Sequence, residues 1–215
     1  MHNRTVQLEG IQNCRDLGGL TTADGHTVRY RALLRSANLA SATPADLEKL
    51  TAQYRLAAVI DLRTDMERGQ MPDRLPSATR GIPIPILDES VFGITHENGV
   101  PQKPPPELLQ MERLYSLMVT LPACRARLGE ALTAVMEQDL SRGSVLWHCT
   151  EGKDRCGLVS ALLLLALSVD RATVTADYLL TNRTNARKAE PSYRRVLDAG
   201  ESPAFAEAVR DAFLA

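Results

Sequence analysis

Apolar residues along this chain fall into short blocks and helical stripes. Ser144-Val145-Leu146-Trp147-His148 reads as a buried strand, and Val28–Leu34, Ala57–Asp61 and Gly81–Ile86 carry similar β-like runs. Helical spacing occupies Pro44–Tyr54, Glu107–Val119, Pro122–Leu140, Arg155–Leu167 and Arg171–Leu180, with shorter helices predicted over Pro191–Leu197 and Pro203–Phe213. Thr43-Pro44 and Ser202-Pro203 each place an N-cap before a proline that is already set for a first helical turn. Strands separated by helices predict an α/β fold: a central, mostly parallel sheet flanked by helices, with a helical layer at the C-terminal end. Between Leu87 and Pro106 the pattern fails. Gly93, Gly99, Pro101 and Pro104-Pro105-Pro106 predict a long irregular loop there, equally readable as a substrate cover or a plain surface loop.

With 215 residues, no fixed-period repeat and no break in composition, one domain over 1–215 is expected. The formal net charge of −1 speaks against non-specific nucleic-acid binding, which needs a basic field, although a local basic pocket remains compatible. Cys14, Cys124, Cys149 and Cys156 are too scattered for a disulfide framework or a zinc site, and His2, His26, His96 and His148 are equally dispersed. No metal and no cofactor is implied. Met1 to Thr5 carries no apolar leader, and Val159–Val169 is too short to cross a bilayer. The expectation is a cytoplasmic protein without stable membrane insertion, with signal-less secretion left open.

The chemistry concentrates where the Ser144–His148 strand meets the Arg155 helix. Between them lies Cys149-Thr150-Glu151-Gly152-Lys153-Asp154-Arg155. In a strand-to-helix turn, successive backbone N–H groups can face inward, and the positive end of the helix dipole lies behind them. Such a nest holds an anion the size of phosphate. A nucleophilic cysteine works as its thiolate, and the same positive field suits an anionic sulfur. Arg155 adds a planar fork for phosphoryl oxygens. A bare Cys-x5-Arg spacing is weak evidence; its setting between a strand and a helix, with Gly152 inside the turn, gives it weight.

The full stretch His148-Cys149-Thr150-Glu151-Gly152-Lys153-Asp154-Arg155 resembles the signature of the bacterial atypical tyrosine and dual-specificity phosphatases, those of the mycobacterial protein tyrosine phosphatase B type. Asn13-Cys14-Arg15-Asp16-Leu17-Gly18-Gly19 is similar to that family's Asn-Phe-Arg-Asp-Leu-Gly-Gly stretch. Leu34 to Leu39, Asp61-Leu62-Arg63-Thr64-Asp65-Met66-Glu67 and Tyr178 to Asn182 resemble three further family segments, all in order.

The resemblance implies a cysteine phosphatase fold and hydrolysis of phosphate monoesters through a cysteinyl-phosphate. Phosphotyrosine or dual-specificity phosphoproteins would be the substrates, with phosphoinositides or small phosphates as the alternative. Cys149 would be the nucleophile. Arg155 would bind the phosphate together with Thr150, Glu151, Gly152, Lys153 and Asp154. By resemblance Asp61, ending the Ala57–Asp61 strand, leads as general acid, and Asp154 within the loop is the alternative. Arg63, His148, Arg15 and Asp16 are read as supports. Cys156 stands where the family carries Ser or Thr. It is either a small apolar filler or a resolving thiol for a Cys149–Cys156 disulfide. Two other classes compete: thiol redox or oxyanion reduction using Cys149 and Cys156, and a non-catalytic phosphate-binding module.

Overall fold

A computed structural model describes residues 4–87 and 111–214. Its sheet has five strands: β1 (Arg15–Asp16), β2 (Leu33–Ser36), β3 (Leu56–Asp61), β4 (Arg80–Pro83) and β5 (Ser144–His148). Their spatial order is β1-β2-β5-β3-β4; only the short edge strand β1 is antiparallel to its neighbour. The helices among the described residues are α1 (Pro44–Ala52), α2 (Asp65–Gln70), α3 (Met111–Thr120), α4 (Pro122–Met136), α5 (Asp154–Ala166), α6 (Arg171–Leu179), α7 (Thr181–Asp198) and α8 (Pro203–Asp211). The mixed α/β architecture with a mostly parallel sheet and a C-terminal run of helices is the one the apolar pattern predicts. The expected loop at 87–106 lies, apart from Leu87, outside the described residues. None of the described helices is long and apolar enough to cross a membrane.

Strand alternation divides the core in two. Val145 and Trp147 of β5, Ala58 and Ile60 of β3, and the buried faces of α4 and α5 form one cluster, which Cys149 joins. Leu146, Val59 and Leu34 face the other way, onto Leu50 of α1 and the N-terminal segment. β5 lies at the centre of the sheet and is buried along its whole length, so the turn that follows it emerges at a rigid point.

β1 is unpredicted, and several other elements differ from the sequence expectation. β2 begins at Leu33 rather than Val28, because Arg31 takes a left-handed φ of 57° in the preceding turn. α2 is an unpredicted short helix, closed by a capping box in which Thr64 and Glu67 bond each other's backbone N–H. α7 is a single helix through Pro191. Thr181, Asn185 and Ala189 form its buried face, one residue per turn at i, i+4 and i+8.

Candidate active site

The loop from Cys149 to Arg155 is held open by its carbonyls. His148 Nδ1 lies 3.1 Å from the Cys149 oxygen, and the Asn38 backbone and side-chain N–H groups both donate to the Thr150 oxygen, at 3.2 and 2.9 Å. Asn13 Nδ2 donates to the oxygens of Glu151 (3.1 Å) and Gly152 (3.0 Å), and Arg35 Nη2 donates to Gly152 at 2.9 Å and Lys153 at 3.4 Å. With the carbonyls drawn outward, the N–H groups of Thr150 to Arg155 make no bond to another described residue. A run of unbonded N–H groups leading into the first turn of a helix is chemically suited to an anion.

Gly152 is required twice over. Its φ is +66°, and a Cβ built there would lie 2.4 Å from both the carbonyl carbon and the oxygen of Ser36.

Arg155, 8% exposed, is gripped from behind by Glu67: Nη1 donates to Oε2 at 2.6 Å and Nη2 to Oε1 at 2.7 Å. Glu67 also accepts from the Thr64 backbone N–H at 2.9 Å and from the Thr150 hydroxyl. Burial alone would raise the Glu67 carboxyl, but the Arg155 guanidinium overrides it and holds the group at about 2. Burial likewise works against the charge on Arg155, and the Glu67 bond outweighs it, so the guanidinium is held firmly cationic. A guanidinium has five N–H donors. Two go to Glu67, a third to the Leu62 carbonyl at 3.5 Å and a fourth to the Thr150 hydroxyl at 3.4 Å, which leaves the Nε–H for a ligand.

The N-terminal motif buttresses this loop. Arg15 Nη1 donates to Asn13 Oδ1 at 2.6 Å, fixing the amide that grips the loop, and Arg15 Nη2 donates to the Asp177 carbonyl and the Thr181 hydroxyl. Asp177 of α6, 1% exposed, faces three arginines: Arg4 at 2.6 Å, Arg35 at 3.4 Å and Arg15 at 3.5 Å. Burial alone would raise this carboxyl; the surrounding cations keep it below the usual aspartate range. Asp16 accepts from the backbone N–H groups of Gly18 and Arg31, so it shapes a turn instead of reaching the loop.

Asp61 is placed away from the nest. Strand alternation puts it on the sheet face of Val59, paired in register with His148, while Cys149 belongs to the opposite cluster. Both carboxylate oxygens are engaged by Arg63: Oδ1 with its backbone N–H (3.0 Å) and Nε (2.9 Å), and Oδ2 with Nη2 (2.7 Å). Both Asp61 oxygens are thus committed to the Arg63 brace. Asp73 completes that cluster, 2.9 Å from both Arg63 Nη2 and His148 Nε2, with a carboxyl that burial would raise but His148 and Arg63 hold down. Asp61, Asp73 and His148 are close enough together to suggest a metal site, but the Arg63 guanidinium already supplies the cation between the two carboxylates.

Asp154, by contrast, stands at the first residue of α5 with its side chain 22% exposed. Tyr115 of α3 donates to its Oδ1 at 2.6 Å, and Tyr115 and Tyr178 share a short hydroxyl contact. Burial pushes the Tyr178 hydroxyl up to about 12 and the Tyr115 hydroxyl higher still, so both stay protonated donors. An apolar recess of about 420 Å³, lined by Met111, Glu112, Tyr115, Lys153, Tyr178 and Leu214, adjoins this carboxylate.

Lys153 and Cys156 each have a partner outside the turn. The Lys153 ammonium donates to the carbonyls of Ala212 (2.6 Å) and Leu214 (2.9 Å), just past α8, where a cation meets the negative end of a helix, and lies 3.3 Å from Asp154 Oδ1. Cys156 is fully buried, its Sγ donates to the Trp147 carbonyl at 3.5 Å, and burial, opposed by Arg35, pushes the thiol up to about 11. It fills the first turn of α5 as a protonated thiol, and all four cysteines are free. The Glu151 side chain turns outward to Lys188 of α7, 2.5 Å away.

Glu67, Asp73, Asp177 and Tyr115 were not assigned roles from the sequence. Only Glu67 carried a local signal, the Thr64-x-x-Glu67 capping box.

Proteins of similar sequence are tyrosine phosphatases. The model of the family described as "tyrosine phosphatase family" matches residues 6–213. A putative tyrosine-protein phosphatase of Cupriavidus necator is 32% identical over 199 residues, covering 93% of this chain and 71% of that protein. A tyrosine-protein phosphatase of Nostoc commune is 29% identical over 163 residues, 70% of this chain and 48% of that one. The triple specificity protein phosphatase PtpB of Mycobacterium tuberculosis is 55% identical over 38 residues, 18% of this chain and 14% of that protein. Among solved structures, Pseudomonas aeruginosa TpbA in complex with phosphotyrosine matches at a TM-score of 0.39 and 17% identity, covering 71% of this chain and 70% of that one. With its family model matched from Val6 to Phe213, the chain belongs to the tyrosine phosphatase family.

Proposed function

We propose that the protein hydrolyses phosphotyrosine in protein substrates through a cysteinyl-phosphate on Cys149, with Asp154 as the general acid. The observation that carries this is the loop itself: outward-tied carbonyls, unbonded N–H groups and the Glu67-held Arg155 surround the residue after β5. The Cys149 thiolate attacks phosphorus, the bond to the tyrosyl oxygen breaks, and that oxygen takes the proton of Asp154. Water then attacks the phosphoenzyme and gives a proton back to Asp154; the P–S bond breaks and the thiolate returns. Arg155 and the loop N–H groups hold the equatorial oxygens through both steps. Asp154 is preferred to Asp61 because it lies on the loop, partly exposed, with Oδ1 held by Tyr115 and Lys153 and Oδ2 bonded to no described residue.

The test compares leaving groups. Cys149→Ser is expected to abolish turnover. Asp154→Asn is expected to lower kcat on phenyl phosphate by about 10²-fold or more, and much less on p-nitrophenyl phosphate, whose leaving oxygen needs no proton. Asp61→Asn is expected to lower stability while keeping the same ratio between the two substrates as wild type. A leaving-group dependence that moves with Asp61 instead would overturn the assignment.

A further inference from the structure

The described residues include a second concavity beside the loop, and its chemistry is basic. A cleft of about 590 Å³ runs between the N-terminal segment, residues 5–15, and the first half of α7. Val6 and Ile11 give it an apolar wall. From α7, Arg183, Arg187 and Lys188 line the other side. Arg183 and Arg187 are exposed, stand one turn apart on the same helix face, and bond no described residue through their guanidinium groups. Like charges at that spacing weaken a helix, and among the described residues no carboxylate forms an ion pair with either.

Two residues of the cleft contact the phosphate loop. Asn13, which lines the cleft, donates to the carbonyls of Glu151 and Gly152. Lys188 pairs with Glu151 at 2.5 Å, a half-exposed ion pair that an incoming anion can displace at little cost. Arg15 also borders the cleft, but its guanidinium is already committed to Asn13, Asp177 and Thr181.

We propose that this cleft is a substrate subsite for the acidic flank of a phosphorylated peptide, with Arg183 and Arg187 taking carboxylate or phosphate side chains beside the phosphotyrosine. The proposal rests on the phosphatase reading of Cys149 and adds the substrate class. In a protein of net charge −1, two arginines that pair with no described residue, in a cleft that contacts the phosphate loop through Asn13 and Lys188, concentrate positive charge beside the proposed substrate site. An apolar wall facing a cationic one fits an extended peptide, whose successive side chains point to opposite sides.

The experiment uses the full chain and the double variant Arg183→Gln/Arg187→Gln. Both are assayed on p-nitrophenyl phosphate, on a phosphotyrosine peptide flanked by Asp and Glu, and on the same peptide with Ala flanks. Wild type is expected to prefer the acidic peptide by about tenfold, mostly through KM, as two partly exposed charge contacts would give. The double variant is expected to lose that preference while its p-nitrophenyl phosphate turnover is unchanged. A wild-type preference that survives in the variant, or no preference at all, overturns the subsite. Binding of the acidic peptide to the Cys149→Ser protein, read by fluorescence anisotropy with and without the arginines, separates failure of the subsite from failure of the catalytic reading. A short-chain phosphoinositide is the third substrate: if the double variant impairs its turnover and spares the peptide preference, the cleft serves a headgroup and the peptide proposal fails.

Discussion

Replacing Glu67 by glutamine tests whether Arg155 is positioned by the loop or by the carboxylate behind it. The side chain keeps its shape but loses its charge, and one oxygen becomes an NH₂. Wherever that NH₂ points it meets donors: Arg155 Nη2 and the Thr150 hydroxyl on one side, or Arg155 Nη1 and the Thr64 N–H on the other. Two routes give the magnitude. The carboxyl is held at about 2 against an ordinary 4.5, and at 1.36 kcal/mol per pKa unit that is on the order of 3 kcal/mol. Removing one partner from a buried ion pair costs about 3–5 kcal/mol. The two agree near 3 kcal/mol, or a fall in Tm of roughly 6–12 °C for a domain of this size.

The pH dependence has a definite sign. A carboxyl depressed in the folded state stabilises fully above its unfolded value, and that stabilisation is lost as pH falls toward the folded value. The Tm gap between wild type and Glu67→Gln should therefore be constant above about pH 5 and close progressively between about pH 4.5 and 2. With its brace gone, Arg155 is expected to shift within the loop, and displacement of a transition-state group by an ångström costs on the order of 10²-fold in kcat/KM. Differential scanning calorimetry across pH and steady-state kinetics on p-nitrophenyl phosphate read the two effects. A variant that melts with wild type at pH 7 and keeps its kcat/KM would refute the reasoning, and the loop alone would then orient Arg155.

Gly152→Ala places a Cβ against the Ser36 carbonyl at a left-handed φ, so a loss of about 3 kcal/mol in denaturant unfolding is expected, with weakened binding of orthovanadate in titration calorimetry. Asp177→Asn leaves Arg4, Arg15 and Arg35 without their shared anion and should lower the urea midpoint by the equivalent of about 3–5 kcal/mol at an unchanged m value. Because the Asp177 carboxyl is held below its ordinary range, its contribution persists above that range, and the difference from wild type should shrink only in acid.

What could be read from the sequence was local. The Cys149–Arg155 turn announces itself because strand, glycine and helix start lie within a dozen residues, and β3 and β5 are apolar runs bounded by turn chemistry. β2 was misplaced for a physical reason: it carries Arg35 and Ser36, both buried, into the middle of the sheet, and hydrophobic pattern cannot see a strand whose polar residues are satisfied from elsewhere. Arg35 is tolerated there because the Gly152 carbonyl and Asp177 meet it, partners 117 and 142 residues away in the chain. Glu67 left a trace as the third residue of a capping box, but nothing near it in sequence points to Arg155, 88 residues on. Asp61 shows the converse. The end of a strand beside β5 is where an acid is expected, and the sequence does not reveal that its neighbour across the ladder is His148 or that its oxygens are bonded by Arg63. The positions where pattern fails are thus the buried charges, and they fail together because each exists to hold another. Asp177 fixes Arg15 and Arg35, those fix Asn13 and the Gly152 carbonyl, and the carbonyls so held outward leave the N–H groups turned in around Cys149. The anion nest is therefore a property of residues spread from Arg4 to Thr181, and the seven-residue signature is the part of it that happens to be contiguous.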